Sequence, residues 1–340
     1  WGLEIDGKPA VSQNDVYVRT LSSSNVPATS KANWKDWRAL VDRCYDNRDA
    51  DIGRFIRRHL TGVGLSALRD YLEGTGAIPA PLAPNEDANG LLDLAATRMD
   101  QIASHRKVIV PQAGWWDAAF VIEGQVPSQP MGKEFLRRLD SSNPRLTGWP
   151  MWLVSDRFSD GSSHPFKKDG VWEALINAMG AVKHFQYMRY DPEGRFAHRS
   201  VLMDDTAQAE GGPAPNTVFD FAFAVQDCAE AIAVGLAFAR AMECAVDRST
   251  LHFAFRWSGL ARRDLSSWAH RNRYISPGHK AHQDEVTINV AVPLETPPQA
   301  IGALLHAPLQ ELYEVFDGFQ LSLDVVDDIA TRVLSRSMVI

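Results

Sequence analysis

The sequence predicts an α+β protein, with mixed or antiparallel sheets packed against helices in two to three subdomains. Three observations predict it. Short segments alternate apolar and polar residues, as in "NDVYVRT" and "EVTINVAVPL". Longer segments repeat apolar residues at helical spacing. Two pairs of strand-like segments stand as antiparallel neighbours, one of them joined by the turn "DPEG". A doubly wound parallel α/β sheet is the alternative. The 340 residues correspond to about two domains.

In chain order, Val16 and Val18 alternate with Tyr17 and Arg19, which predicts a strand closing residues 1–30. Residues 31–110 read as a mainly helical connector. Trp37, Leu40, Val41 and Cys44, then Ile52, Phe55, Ile56 and Leu60, carry two short helices or one bent helix over 34–60. The stretch 74–90 is rich in Pro, Gly and Asn and reads as a linker, and a helix follows to His105. In a central α/β-type region, 111–210, "AAFVIEG" reads as a strand, "GKEFLRRL" as a helix and "WPMWLVS" as a strand. "GVWEALINAMG" reads as a helix stopped by Gly180, and "HFQYMRYD" and "GRFAHRSVL" as a strand pair. The acidic, Gly/Pro-rich run 204–216 reads as a boundary. In the α+β region 211–340, "FDFAFAV" reads as a strand and "DCAEAIAVGLAFARAMECA" as a buried helix. "LHFAFRW" and "EVTINVAVPL" are strands. A helix begins near Pro297 and Pro298 and is bent or broken at Pro308, and a last helix starts at Ser322.

The net charge of −7 argues against whole-molecule attraction to nucleic acid or anionic membrane, while leaving room for a local basic face. Three scattered cysteines, Cys44, Cys228 and Cys244, make neither a disulfide framework nor a zinc knuckle and suit a reducing compartment. The longest uninterrupted apolar run in the alanine-rich region, Ala231 to Ala239, is about half of a membrane-spanning helix, so no membrane partner is expected. The start, "WGLEIDGKPA", has no signal-peptide pattern, and the chain reads as part of a longer cytoplasmic protein.

The sequence contains no complete phosphate-binding loop, dinucleotide fingerprint, nucleophile elbow, zinc helix or C-x-x-C pair. That lowers the expectation of an enzyme and names no cofactor. Attention falls on a basic loop. From Arg256 to Lys280 there are five arginines and one lysine against a single acid, Asp264, interleaved with Trp257, Trp268 and Tyr274. Guanidinium groups pair with phosphate and aromatic rings stack on bases. Arg256, Arg262, Arg263, Trp268, Arg271, Arg273 and Tyr274 are therefore candidates for gripping nucleic acid or a partner protein. From Gln310 to Ala330 there are six acids and no base, an alternative docking face in the same chain or in a second copy. Simple solvation is the third reading.

His279, His282 and Asp284 have the residue types and spacing of a divalent-metal site on a loop, against the plainer reading of two solvated histidines. Among ten tryptophans, Trp115, Trp116, Trp149, Trp152 and Trp172 either line a small-molecule pocket or fill the core. On the predicted strand 251–257, Leu251, Phe253 and Phe255 face the core, and His252 and Arg256 face outward.

The segment "VYVRTLSSSNVPATSKANWKDWRALVDRC" resembles the end of a Schlafen-AlbA-type domain and the stretch that follows it, through Val16, Tyr17, Val18, Arg19, Ser22, Ser23 and Ala28. The blocks "LDSSNPRLTGWPMWL", "FRWSGLARRDLSSWA" and "VFDGF" are similar to the long region that accompanies that domain in bacterial proteins labelled ATP-binding or DNA-binding regulators. The resemblance covers about thirty residues as a domain and implies a link to nucleic acid, transcription regulation or antiviral defence. It carries over one site residue, Arg19, as a phosphate contact. The expected function is a non-enzymatic regulatory region acting by ligand sensing or self-association. A direct DNA- or RNA-binding module at 256–282, or a metal-dependent nuclease, are the alternatives.

Overall fold

The computed structural model describes the strand backbones at 4–5, 8–9, 17–21 and 27–31, and then residues 88–207, 212–270 and 273–336. The chain divides into two compact units, Trp1–Ser66 and Ala67–Ile340. In the first, β1 (Glu4–Ile5) pairs antiparallel with β2 (Lys8–Pro9), and β3 (Tyr17–Leu21) with β4 (Pro27–Lys31). Arg19 lies on β3 opposite Thr29. The helices expected over 34–60, Cys44 and most of the 74–90 linker lie outside the described residues.

The second unit is built on one seven-stranded sheet in the order β13-β11-β5-β9-β8-β7-β6, antiparallel at every pairing. Its strands are β5 (Trp115–Glu123), β6 (Phe166–Lys168), β7 (Val171–Asn177), β8 (Phe185–Asp191), β9 (Arg195–Val201), β11 (Thr250–Ser258) and β13 (Glu285–Pro293). The short strands β10 (Val218–Asp220) and β12 (Asp264–Ser266) form the only parallel pair among the described strands. The fold is α+β, and the doubly wound parallel alternative is set aside. Strands from 111–210 and from 211–340 lie side by side, β11 against β5, so the boundary expected at 204–216 does not divide the sheet.

Helix α1 (Ala88–Arg106) covers one face of the sheet. Its Leu92, Ala95, Met99 and Ile102 stripe packs on Ala119, Leu175, Tyr187, Ala197 and Ala254. The other face carries α2 (Lys133–Ser142), α3 (Phe221–Ala241), α4 (Ile301–Glu314) and α5 (Leu323–Leu334). Trp116, Ala118, Phe120 and Ile122 of β5 and Leu251, Phe253, Phe255 and Trp257 of β11 point into this larger core, as period-two alternation requires. Each fully buried Phe contributes about 1.5–3 kcal/mol by leaving water.

Several local expectations are corrected. "GVWEALINAMG" is strand β7, because Trp172, Ala174 and Ile176 enter one core while Leu175 enters the other. Burial on both faces hides the alternation. "WPMWLVS" is irregular. Trp152 sits at φ 49°, with its indole N–H on the Ala197 carbonyl at 3.0 Å, and the Tyr190 hydroxyl donates to the Leu153 carbonyl at 2.8 Å. The "FDFAFAV" strand stops after three residues because the Asp220 carboxylate accepts the Ala222 N–H and starts α3. Helix α4 runs unbroken through Pro308. Ser322 stands at the start of α5 without a side-chain bond to the helix. Helix α3 is long and apolar enough to cross a membrane, contrary to the short run read from the sequence, yet 83% of its most apolar window is buried in this fold.

Candidate functional site

The basic loop is largely consumed by its own chain. Arg263 is fully buried, and all five of its N–H donors have acceptors. Nη1 and Nη2 grip Asp205 at 2.7 and 2.6 Å, Nε reaches the Gly259 carbonyl at 2.6 Å, and Val218 O and Asn216 Oδ1 take the rest at 2.9 and 3.0 Å. The loop bends sharply enough to bury it because Gly259, at φ +75°, lies where a Cβ would come 2.9 Å from Gly114 Cα. Trp268 donates its indole N–H to Asp204 at 2.7 Å and packs edge-on against Phe223. Arg273 pairs with Asp328 of α5. Lys280 N–H donates to Asp317 at 2.7 Å, and His282 bonds the same carboxylate. The loop thus docks on the acidic stretch 310–330 of its own chain.

Arg256, expected to point outward, is covered by α1, because the second face of β11 is also packed. Its side chain is 12% exposed and meets Asp117 at 3.1 Å and Asp93 at 2.6 Å. Asp117 is fully buried between Arg256 and Arg199, and burial pushes its carboxyl up against the pull of both guanidiniums. The expectation that Arg256 and Arg263 receive a partner is therefore corrected: buried carboxylates already satisfy them. Arg262 is exposed and pairs with no carboxylate among the described residues, and Tyr274 is 83% exposed. Arg271, and the side chain of Arg19, lie outside the described residues.

The metal expectation is corrected too. His279 bonds Ser276 Oγ and meets the edge of Phe319, His282 turns to Asp317, and Asp284 accepts the Ala261 N–H at 3.2 Å. Each side chain has a different neighbour. No group of three or more His, Cys, Asp or Glu among the described residues is arranged to hold a metal ion.

The tryptophans divide. Trp115 lies under the Arg199 guanidinium on the α1 face, at 4.6 Å, and Trp152 and Trp172 fill the larger core. Trp116 and Trp149 line a cavity of about 310 Å³ between the sheet and α3, near the lower end for small-molecule sites. Strand register builds its floor. Gln186 of β8, Ser200 of β9 and Trp116 of β5 stand side by side on one face, with His198 one step along β9. Gln226, Asp227 and Glu230 of α3 form the opposite wall. The 147–151 segment closes one side, where Trp149 stacks on His184 with rings 4.6 Å apart and 8° from parallel. Val182 and Met203, both substantially exposed, also line it.

Five buried polar atoms from this lining have no hydrogen-bond partner among the described residues: Trp116 Nε1, Trp149 Nε1, Gln186 Nε2, His198 Nδ1 and Gln226 Oε1. Buried polar groups are nearly always paired, and each orphan costs about 1–3 kcal/mol. Five residues that line one cavity carry such an atom, and that concentration marks it as the candidate site.

The electrostatics agree. Burial lowers the His184 imidazole to about 4 and, with His184 nearby, the His198 imidazole to about 3, so both are neutral at physiological pH. Burial raises Glu230 to about 7, although the Thr147 hydroxyl, 3.0 and 3.1 Å from its two oxygens, and backbone groups of Met151 and Thr147 oppose the rise. Asp227 is also pushed well up, by burial first and then by Glu230 and Asp204. Both carboxyls sit without a cationic partner among the described residues.

Sequence reasoning passed over Asp227 and Glu230. The signal was present as two acids three residues apart inside the most apolar helix, where Glu230 is buried and Asp227 half-buried, an unusual place for acids. His198, read as structural, belongs to the same wall. No family model, curated protein or solved structure matches this chain.

Proposed function

We propose that residues 88–336 form the ligand-sensing part of a cytoplasmic, non-enzymatic regulator, with the small molecule held in the cavity between α3 and the sheet. The observation that carries this is one cavity lined by five residues that each hold an unpaired buried polar atom. A route to the surface supports the sensing role. Met203 lines the cavity, and the next two residues of the same tight turn, Asp204 and Asp205, hold Trp268 and Arg263 of the basic loop. Occupancy that moves this turn shifts the loop at 259–282, whose exposed Arg262 and Tyr274 are the surface a partner reads. In a longer protein, the segment resembling a Schlafen-AlbA-type domain end joins this sensor to a nucleic-acid-related domain. Direct nucleic-acid binding through the loop is the weaker reading, because Arg263 and Arg256 are buried in ion pairs and Arg273 is paired with Asp328.

Thermal-shift screening of the full chain against metabolites and fragments tests it. Stabilising compounds are expected, and they lose their effect on the Trp149→Ala, Gln226→Leu double variant. A folded wild type that responds to nothing in the panel, or equally with the variant, overturns the proposal.

A further inference from the structure

We propose that the cavity selects a small organic cation, with its amine or amidine nitrogen set against Asp227 and Glu230 and its apolar body against the indoles of Trp116 and Trp149. The proposal rests on the cavity being a ligand site and names the class of molecule that fits it.

The first argument is charge. The lining contains two carboxyl groups and no Lys or Arg. Asp227 and Glu230 are three residues apart on α3, so both project from one side of the helix toward the same space. Three buried acids elsewhere in this unit are matched by arginines. Asp117 sits between two arginines, Asp205 takes Arg263, and Glu173 takes Arg98 at 2.6 Å. The cavity pair has no such partner among the described residues, and a third acid, Asp204, buried and bonded to the Trp268 indole, lies near enough to act on Asp227. An anionic ligand finds no cation in this lining and opposes ionisation of either carboxyl. A cationic one supplies the missing partner.

The second argument is the remaining wall. Indole faces attract organic cations more strongly than other aromatic rings do. The two imidazoles that share the lining are neutral near pH 7 and do not oppose a positive charge. Three lining side chains also carry unpaired buried donors, the Trp116 and Trp149 indole N–H groups and the Gln186 carboxamide, which suit an acceptor such as a hydroxyl or carbonyl at the ligand's other end once they turn toward it. A small amine carrying one neutral acceptor satisfies both walls.

Proton linkage follows. Burial favours the protonated form of both carboxyls, with Glu230 raised to about 7, and a cation stabilises their ionised forms, so binding releases protons. Affinity for a permanently charged amine therefore rises with pH through about 7.

Calorimetric titration of the full chain with tyramine and 4-methoxyphenethylamine, which carry an acceptor oxygen at the far end, and with their neutral analogues tyrosol and 4-methoxyphenethyl alcohol, tests the class. Near pH 8 the amines are expected to bind about tenfold or more tightly than the alcohols, the size of a desolvated cation–π contact plus an ion pair. Titrations near pH 7 in two buffers of different ionisation heat are expected to show proton release. The gap closes near pH 5.5, about a unit and a half below the Glu230 midpoint. Asp227→Asn with Glu230→Gln, which removes charge without removing volume, is expected to abolish the gap while the alcohols still bind. Alcohols that bind as tightly as amines overturn the cation class and leave the cavity standing as a ligand site. Amine binding that survives Trp149→Ala with Gln226→Leu is an encounter elsewhere on the surface and overturns the proposal. A folded protein that takes up none of the four probes overturns both the class and the site.

Discussion

Replacing Glu230 by glutamine is expected to stabilise the protein at neutral and alkaline pH. Glu230 is 3% exposed, and its carboxyl rises from the ordinary 4.5 to about 7 on folding. The fold therefore prefers the protonated form. This contribution is complete below pH 4.5 and is lost as the pH climbs through about 7. The rise corresponds to about 3 kcal/mol of penalty for keeping the carboxylate ionised above pH 7. Glutamine keeps the volume and one acceptor oxygen, but turns an NH2 toward donors, the Thr147 hydroxyl and backbone groups of Met151 and Thr147, and gives up one or two hydrogen bonds of about 1 kcal/mol each. The net expectation at pH 8 is a gain of about 1–2 kcal/mol, with a flatter dependence of stability on pH between about 5 and 7. Urea denaturation of both proteins, followed by tryptophan fluorescence at several pH values, measures it. A glutamine variant that is less stable than wild type at pH 8, or that keeps the same pH slope, refutes the reasoning that Glu230 is a carboxyl held against its will.

Removing one partner of the buried Arg263–Asp205 pair strands the other charge, so Arg263→Ala is expected to cost about 3–5 kcal/mol in chemical denaturation. By contrast, the exposed neighbour tolerates change: Arg262→Ala is expected to shift stability by less than about 0.5 kcal/mol in the same assay. Gly302→Ala places a Cβ 2.8 Å from the Cα of Asp327, where α4 meets α5 and backbone cannot swing aside, and a loss of about 1–3 kcal/mol is expected in a thermal melt. In a salt titration of DNA or RNA binding, Arg262→Ala with Tyr274→Ala is expected to leave the salt slope of the full chain unchanged, because the loop's other described cations are engaged within the chain.

The sequence carried the sheet better than the site. Strands β8, β9, β11 and β13 were legible because each alternates or sits beside a recognisable turn. Strand β7 was not, since both its faces are buried and its composition also suits a helix. The basic loop drew attention because charge is visible in a sequence while pairing is not. The carboxylates that neutralise Arg263 and Arg273 lie 58 and 55 residues away. The cavity was half legible. Its tryptophans were singled out, but the strand register that sets Gln186, Ser200 and Trp116 in one row comes from pairings no linear pattern displays.

A crystal structure of the protein soaked with a fragment set tests most directly whether this cavity is a ligand site. Density for a bound molecule is expected between α3 and the sheet, with polar atoms within hydrogen-bond distance of Trp116 Nε1, Trp149 Nε1 and Gln226 Oε1. A cavity filled only by water in every soak, with fragments settling at other surfaces, contradicts it.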